Sequence, residues 1–255
     1  MKLSRYLSLI PLGFAVGLTG CEKPITLENF DDWMPGKPKI ENVWKPPTEI
    51  TDFKKLFAQN CRGCHGDGNV TGASIALNDP TFLAIISPEE LSNLITNGVP
   101  KTPMPAFAIR NGGQLTDEQI EILVKGILAW KDPATTPPGP LPPYAAPLGN
   151  AAAGESLYAA YLASLEKMNP RVTAQGFMTN PAFLGLVSDQ HIRTLIITGR
   201  PELGIPNFQN AIPGKPLSDQ DIADVVAWIV SKRLNEFGQP LTPPTLPDAN
   251  ESSQP

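Results

Sequence analysis

The sequence predicts an all-α fold, and it does so through helix-capping signals and an internal repeat. Capping patterns open several segments; for example, Ser87 is followed three residues later by Glu90. Apolar residues then recur at helical spacing, as in the stripe that begins with Phe53 and Leu56. No segment shows the strict alternation of polar and apolar residues that is typical of a half-buried strand.

The internal repeat has an offset of 101 residues. Residues 78–83 (NDPTFL) are matched by residues 179–184 (TNPAFL), and the offset also aligns Gly98 with Gly199. Self-similarity of this kind indicates two copies of one domain. Further aligned pairs are Leu56 and Leu157, Leu94 and Leu195, Pro100 and Pro201, and Phe107 and Phe208.

About three helices are predicted in each copy. In the first copy, one helix carries Phe53, a second runs from the Ser87 cap to Gly98, and a third begins after Thr116. The corresponding signals in the second copy are Ser188, Gly199 and Ser218.

Proline-rich stretches divide the chain, which has 29 Pro among 255 residues. They predict a tether at 21–50, a semi-rigid linker at 132–150 and a disordered tail at 235–255. The remaining chain forms the two predicted domains. These are called here the first segment (residues 51–131) and the second segment (residues 151–234).

The N-terminus is typical of an export signal at residues 1–20. Lys2 and Arg5 precede an apolar run that is too short to span a bilayer. The following Leu-Thr-Gly-Cys sequence resembles the bacterial lipobox, which implies that Cys21 becomes a lipid-modified N-terminal residue. The alternative is an uncleaved helix with an incidental cysteine. The lipobox interpretation implies a lipid anchor in a bacterial membrane, with the protein facing the periplasm or the cell exterior. It does not distinguish the inner from the outer membrane.

Charge and cysteine content narrow the possible functions. The formal net charge is −5 and no basic stripe is present, so nucleic acid is not expected as a partner. Of the three cysteines, Cys21 is assigned to lipid, which leaves Cys61 and Cys64 for a site. No cysteine remains for a disulfide.

Residues 61–65 read Cys-Arg-Gly-Cys-His, the attachment pattern of a c-type haem. The two thiols add to the haem vinyl groups, and His65 then lies beside the iron as an axial ligand. A thioredoxin-like redox pair would need a βαβ context, which the sequence lacks. A zinc site at the two cysteines would need two further ligands, and the chain has no other histidine than His65 and His191. The pattern therefore predicts one covalent haem c at Cys61 and Cys64.

A methionine in a proline-stiffened loop is the candidate for the second axial ligand. Met104 lies in Thr-Pro-Met-Pro, between two predicted helices. Methionine usually fills apolar cores, but this one belongs to a polar loop and not to an apolar helical stripe. A His65/Met104 pair would fill both axial positions of the iron, which favours electron transfer over ligand chemistry.

The first segment resembles a class I cytochrome c domain. The resemblance rests on the 61–65 motif, the Gly-Asp-Gly turn at 66–68, the Met104 loop and the C-terminal helix. It implies a compact all-α fold, a largely buried haem and electron exchange through one exposed haem edge. The second segment resembles the same family more faintly. The predicted architecture is thus two cytochrome c-like domains joined by Pro-rich linkers.

The second segment lacks the four predicted haem-binding residues, so it is expected to be a degenerate domain without haem. His191 aligns with Glu90 near the start of a capped helix and is expected at the surface. The residues at the four haem-binding positions are Leu162, Leu165, Glu166 and Ile205. Five side chains are expected to fill the former haem pocket: Tyr161, Leu162, Leu165, Phe177 and Met178.

These observations favour a membrane-anchored protein that transfers single electrons. The expected setting is a respiratory or photosynthetic membrane complex with other redox subunits, in which the second segment acts as a docking element. One alternative is the cytochrome subunit of a dehydrogenase, or a haem enzyme. Another is a sensor or structural lipoprotein. No acid–base constellation beside the haem motif favours catalysis.

Overall fold

A computed structural model describes residues 44–168, 170 and 177–233. Within them, the chain from Pro46 onward forms one compact unit, and its division into two domains stays a prediction. The predicted signal peptide, Cys21 and the tail at 235–255 lie outside the described residues, as does most of the predicted tether. No helix in the described part of the chain is both long and apolar enough to cross a bilayer.

The described residues form helices and short 3-10 turns without any β-strand, which confirms the all-α prediction. The 3-10 turns are Pro47–Glu49, Ile109–Asn111, Phe177–Thr179 and Pro201–Leu203. The helices of the first segment are α1 Phe53–Asn60, α2 Arg62–His65, α3 Pro80–Ile85, α4 Pro88–Asn97 and α5 Asp117–Leu128. Those of the second segment are α6 Ala151–Met168, α7 Pro181–Leu186, α8 Asp189–Thr198 and α9 Asp219–Val230.

The predicted helix caps of the first segment are present. The Ser87 hydroxyl accepts from the Glu90 amide at 3.1 Å, and the Glu90 carboxylate accepts from the Ser87 amide at 3.1 Å. Thr116 and Gln119 form the same reciprocal pair at the start of α5. A cap of this type contributes about 1 kcal/mol. The first segment has two short helices, α2 and α3, in addition to the three that were predicted. Helix α3 is capped by the Asp79 side chain, but its sequence has no long apolar stripe from which a helix could be predicted.

In each segment a glycine lets the first helix cross the last. Gly126 of α5 faces Phe53 of α1, and a Cβ at Gly126 would lie 2.2 Å from the phenyl ring. In the second segment the glycine belongs to the first helix. There a Cβ at Gly154 of α6 would lie 2.0 Å from the Asp224 carbonyl oxygen of α9. Both crossings therefore depend on close backbone approach.

The tether and the linker are bound more closely than the sequence suggested. The buried Gln119 side chain donates to the Pro47 and Ile50 carbonyls at 2.7 and 2.9 Å, so residues 46–50 pack with the first segment. In the linker, the Tyr144 carbonyl accepts from Gln190 at 2.7 Å and from Arg193 at 3.1 Å. The expected semi-rigid spacer is thus held along the second segment by side chains that the sequence did not link to it.

The two segments also touch directly. Helix α3 of the first segment contacts α8 of the second. The Tyr144 ring of the linker packs edge-on against Phe82 of α3, with ring centroids 6.4 Å apart. The linker therefore contributes apolar surface between the segments.

We predict that Gly154→Val lowers the free energy of unfolding by about 3 kcal/mol, because the added side chain overlaps the α9 backbone. The matched control is Ala153→Val, since Ala153 is exposed on the same helix. The control should lose less than about 1 kcal/mol, the cost in helix propensity alone. Urea unfolding followed by circular dichroism measures both, and equal losses would contradict the close crossing of α6 and α9.

Candidate haem site

One helical turn brings the three motif residues together. Helix α1 ends at Asn60, Cys61 joins it to α2, and the His65 amide donates to the Cys61 carbonyl at 3.0 Å. Cys61 is half-buried and Cys64 is exposed, and the two do not form a disulfide with each other. The turn therefore presents two thiols and an imidazole from one short stretch of backbone.

The imidazole of His65 is oriented by a backbone carbonyl. Its Nδ1 lies 2.7 Å from the Ile75 oxygen, and because a carbonyl can only accept, Nδ1 carries the hydrogen. This tautomer leaves the Nε2 lone pair available to a metal, the arrangement that supports metal-binding histidines in general. Burial lowers the pKa of His65, which favours the neutral, ligating form.

The loop between His65 and Ile75 closes tightly over the motif. The Ser74 amide donates to the Cys64 carbonyl at 2.9 Å. A Cβ at Gly72 would lie only 2.1 Å from the same carbonyl oxygen. A side chain at position 72 would thus push the loop away from the cysteines and disturb the Ile75 carbonyl that orients His65.

Met104 lies in a separate loop whose backbone is fixed by hydrogen bonds. Gly98 ends α4 with a φ of 66°, and the Val99 amide donates to the Met104 carbonyl at 3.0 Å. The Thr102 hydroxyl accepts from the Met104 amide at 3.3 Å and donates to the Val99 carbonyl at 2.8 Å. Met104 itself is half-buried. The loop can hold a thioether in a defined place, and iron ligation by Met104 stays a prediction.

The residues present fit a covalent haem better than the two competing sites. Burial, reinforced by Cys64, raises the pKa of Cys61 to about 12. A redox-active thiol pair has instead a lowered pKa. Among the described residues, no group of three or more His, Cys, Asp or Glu side chains could hold a metal ion. Two thiols and an imidazole with a free Nε2 are the donor set that a c-type haem requires.

In the second segment, apolar side chains occupy most of the corresponding positions. Leu165 and Ile205 are buried and Leu162 is half-buried, whereas Glu166 is exposed. The Arg200 amide donates to the Ile205 carbonyl at 2.8 Å, as Val99 does to Met104 in the first segment. The same loop backbone thus carries a buried Ile205 side chain that cannot ligate iron.

Three of the proposed filling residues are buried in the second segment. Tyr161, Leu165 and Met178 are at most 3% exposed, and Leu162 is half-buried. The side chain of Phe177 lies outside the described residues. These three side chains are part of the core of the second segment, and their replacement of a haem stays a prediction.

His191 lies closer to the haem motif than the sequence indicated. It was expected at the surface, but its ring is half-buried beside Phe183, with ring centroids 6.3 Å apart. Burial, together with the nearby charges of His65 and Arg200, lowers the pKa of His191 to about 4. The sequence could not show this proximity, because it depends on how the two segments pack.

Two sequence comparisons identify relatives of the chain. A family model described as "Cytochrome C oxidase, cbb3-type, subunit III" matches residues 48–125. A cytochrome c6 from Synechococcus sp. is 35% identical over 83 residues, which are 31% of this chain and 69% of the relative. The family match includes both the motif at 61–65 and the Met104 loop.

A comparison of folds gives a weaker similarity. The "reducing HAO-like protein complex" of Kuenenia stuttgartiensis contains a chain with a TM-score of 0.41 and 18% identity. The similarity covers 75% of this chain and 100% of that one. At that level it establishes neither a shared fold nor a shared function.

The identity to cytochrome c6 spans more than two thirds of that relative, and the two thiols and His65 fit a covalent haem. The chain therefore belongs to the c-type cytochrome family and carries covalently bound haem c.

Proposed function

We propose that the chain is a single-electron carrier whose haem is held by the first segment. Cys61 and Cys64 would form the two thioether bonds, and His65 Nε2 and Met104 Sδ would be the axial ligands. The haem supplies a one-electron couple between ferric and ferrous iron. The observation that carries the proposal is the hydrogen bond from His65 Nδ1 to the Ile75 carbonyl at 2.7 Å, which directs Nε2 toward a metal.

The role of Met104 decides between electron transfer and catalysis. A thioether at the sixth position would exclude external ligands from the iron and would raise the reduction potential. The hydrogen bonds among Val99, Thr102 and Met104 hold this loop in place. A fixed loop limits rearrangement when the iron changes its charge, which suits outer-sphere electron transfer.

The second segment is proposed to be a degenerate cytochrome c-like domain without haem. Its sequence register, the buried Ile205 at the methionine position and the matching backbone hydrogen bond at Arg200 support this origin. Its role would be docking. Part of its surface contacts the first segment, and the docking surface would lie on another part.

We further propose that the chain is anchored by lipid at Cys21 in a bacterial membrane and faces the periplasm or the cell exterior. The basic and apolar residues before Cys21 support the anchor. The matched family is described as subunit III of a cbb3-type oxidase. That description supports a place beside other redox subunits in a respiratory or photosynthetic membrane complex.

Met104→Ala should keep covalent haem but lose the sixth ligand. The reduced variant should then bind carbon monoxide, and its reduction potential should fall, because the thioether no longer stabilises ferrous iron. Met168→Leu is the matched control, since Met168 is an exposed methionine of the second segment. Optical spectra under carbon monoxide measure the effect, and a wild-type protein that bound carbon monoxide as readily as the variant would contradict ligation by Met104.

Cys21→Ser should move the protein from the membrane fraction to the soluble fraction without changing its haem spectrum. The reason is that the lipid anchor and the haem are attached at separate places in the chain. Cell fractionation followed by haem staining measures both properties. Membrane retention of the variant in the absence of partner subunits would overturn the lipid anchor.

Purification of the wild-type protein in mild detergent should recover other redox subunits together with this chain. Recovery of the chain alone would contradict the proposed membrane complex.

A further inference from the structure

The Arg200 side chain of the second segment contacts residues 72–73 of the first segment, in the loop that follows the haem motif. Its guanidinium donates to the Gly72 carbonyl at 2.9 Å and to the Ala73 carbonyl at 3.4 Å. The side chain is only 12% exposed and also pairs with Glu202, which follows it by two residues. Arg200 is therefore a largely buried cation fixed against the backbone of the first segment.

The loop that Arg200 contacts is the loop that positions the haem motif. Its next two residues bond to that motif: the Ser74 amide donates to the Cys64 carbonyl at 2.9 Å, and the Ile75 carbonyl accepts from His65 Nδ1 at 2.7 Å. Residues 72–75 thus touch Arg200 at one end and the haem motif at the other. A shift of this short stretch would change the hydrogen bond of His65.

Arg200 contributes a largely buried positive charge to this face. His191 also lies near His65, but its lowered pKa of about 4 leaves it neutral at pH 7. Glu202 opposes Arg200 in charge and is more exposed, at 36% against 12%. Solvent therefore screens the carboxylate more than the guanidinium. In the first segment, burial raises the pKa of the Asp79 carboxyl group, and the negative charge of Glu202 acts in the same direction.

We propose that Arg200 is a positioning residue through which the second segment fixes loop 72–75 and raises the reduction potential of the haem. The inference rests on the proposed ligation of iron by His65. A nearby cation disfavours the ferric state, which carries one more positive charge than the ferrous state. A fixed Ile75 carbonyl keeps the axial imidazole in one orientation. The second segment thus influences the haem while holding none itself.

Three variants separate the charge of Arg200 from its hydrogen bonds. Arg200→Gln removes the positive charge and leaves Glu202 unpaired. Arg200→Lys keeps the charge but loses the forked hydrogen-bonding geometry of the guanidinium. Glu202→Gln removes only the negative charge that is paired with Arg200. The control is Arg110→Gln, because Arg110 is an exposed arginine of the first segment whose ion-pair partner is Asp117. Each haem-loaded variant is measured by spectroelectrochemical titration and by hydrogen exchange of the 72–75 amides.

Arg200→Gln should lower the reduction equilibrium constant by a few-fold to about tenfold, and tenfold corresponds to 59 mV for one electron. Exchange at the Ser74 amide should rise about fivefold, as one hydrogen-bonded anchor is lost. Arg200→Lys should speed exchange with a smaller change in potential, and Glu202→Gln should raise the potential. Arg110→Gln should match the wild type in both measurements.

An unchanged potential and unchanged Ser74 exchange in Arg200→Gln would overturn the inference while leaving the carrier function intact. A wild-type spectrum without a His/Met-ligated haem would overturn the proposed ligand set, and the inference with it. The amides of α5 report whether each variant is folded. If Arg200→Gln does not fold, Arg200→Lys decides, and unchanged Ser74 exchange in that variant would count against the inference.

Discussion

The hydrogen bond between His65 Nδ1 and the Ile75 carbonyl is the interaction on which the arrangement of the site depends. It sets the tautomer of the imidazole and therefore decides which ring nitrogen can reach a metal. The bond spans ten residues, so the intervening loop must fold back over the motif. Gly72 permits this return, because any side chain there would collide with the Cys64 carbonyl.

The same loop links the haem motif to the rest of the chain. At one end of the loop, the Gly72 carbonyl accepts a hydrogen bond from Arg200. At the other end, Ser74 and Ile75 form hydrogen bonds with Cys64 and His65 of the motif. The linker adds a second connection, since the Tyr144 ring packs on Phe82 while its carbonyl is held by Gln190. The proposed influence of the second segment on the haem would act through these backbone contacts and the charge of Arg200.

The longer helices could be predicted from the sequence, because helix capping and apolar periodicity depend only on residues that are close in the chain. The Ser87 and Thr116 caps are where the sequence placed them. The haem assignment followed from a motif whose spacing is fixed by the cofactor. The short α3 escaped prediction because its Asp79 cap is followed by only six helical residues. At that length, periodicity carries little information.

Contacts between distant parts of the chain could not be predicted in this way. Nothing in the linker sequence shows that Arg193 would donate to its carbonyls. Nothing near His191 shows that its ring would be half-buried beside Phe183. Both follow from the packing of one segment on the other. The carbonyl that fixes the tautomer of His65 was also invisible, since every residue has one and only the fold selects Ile75.

The chain is proposed to carry one haem, bound only by the first segment. The most direct test is mass spectrometry of the denatured protein, with mapping of its proteolytic peptides. Thioether bonds survive denaturation, so the predicted result is a mass increase of one haem per chain, located on the peptide that contains Cys61 and Cys64. Two haems per chain, or a haem on any peptide from residues 151–233, would contradict the claim.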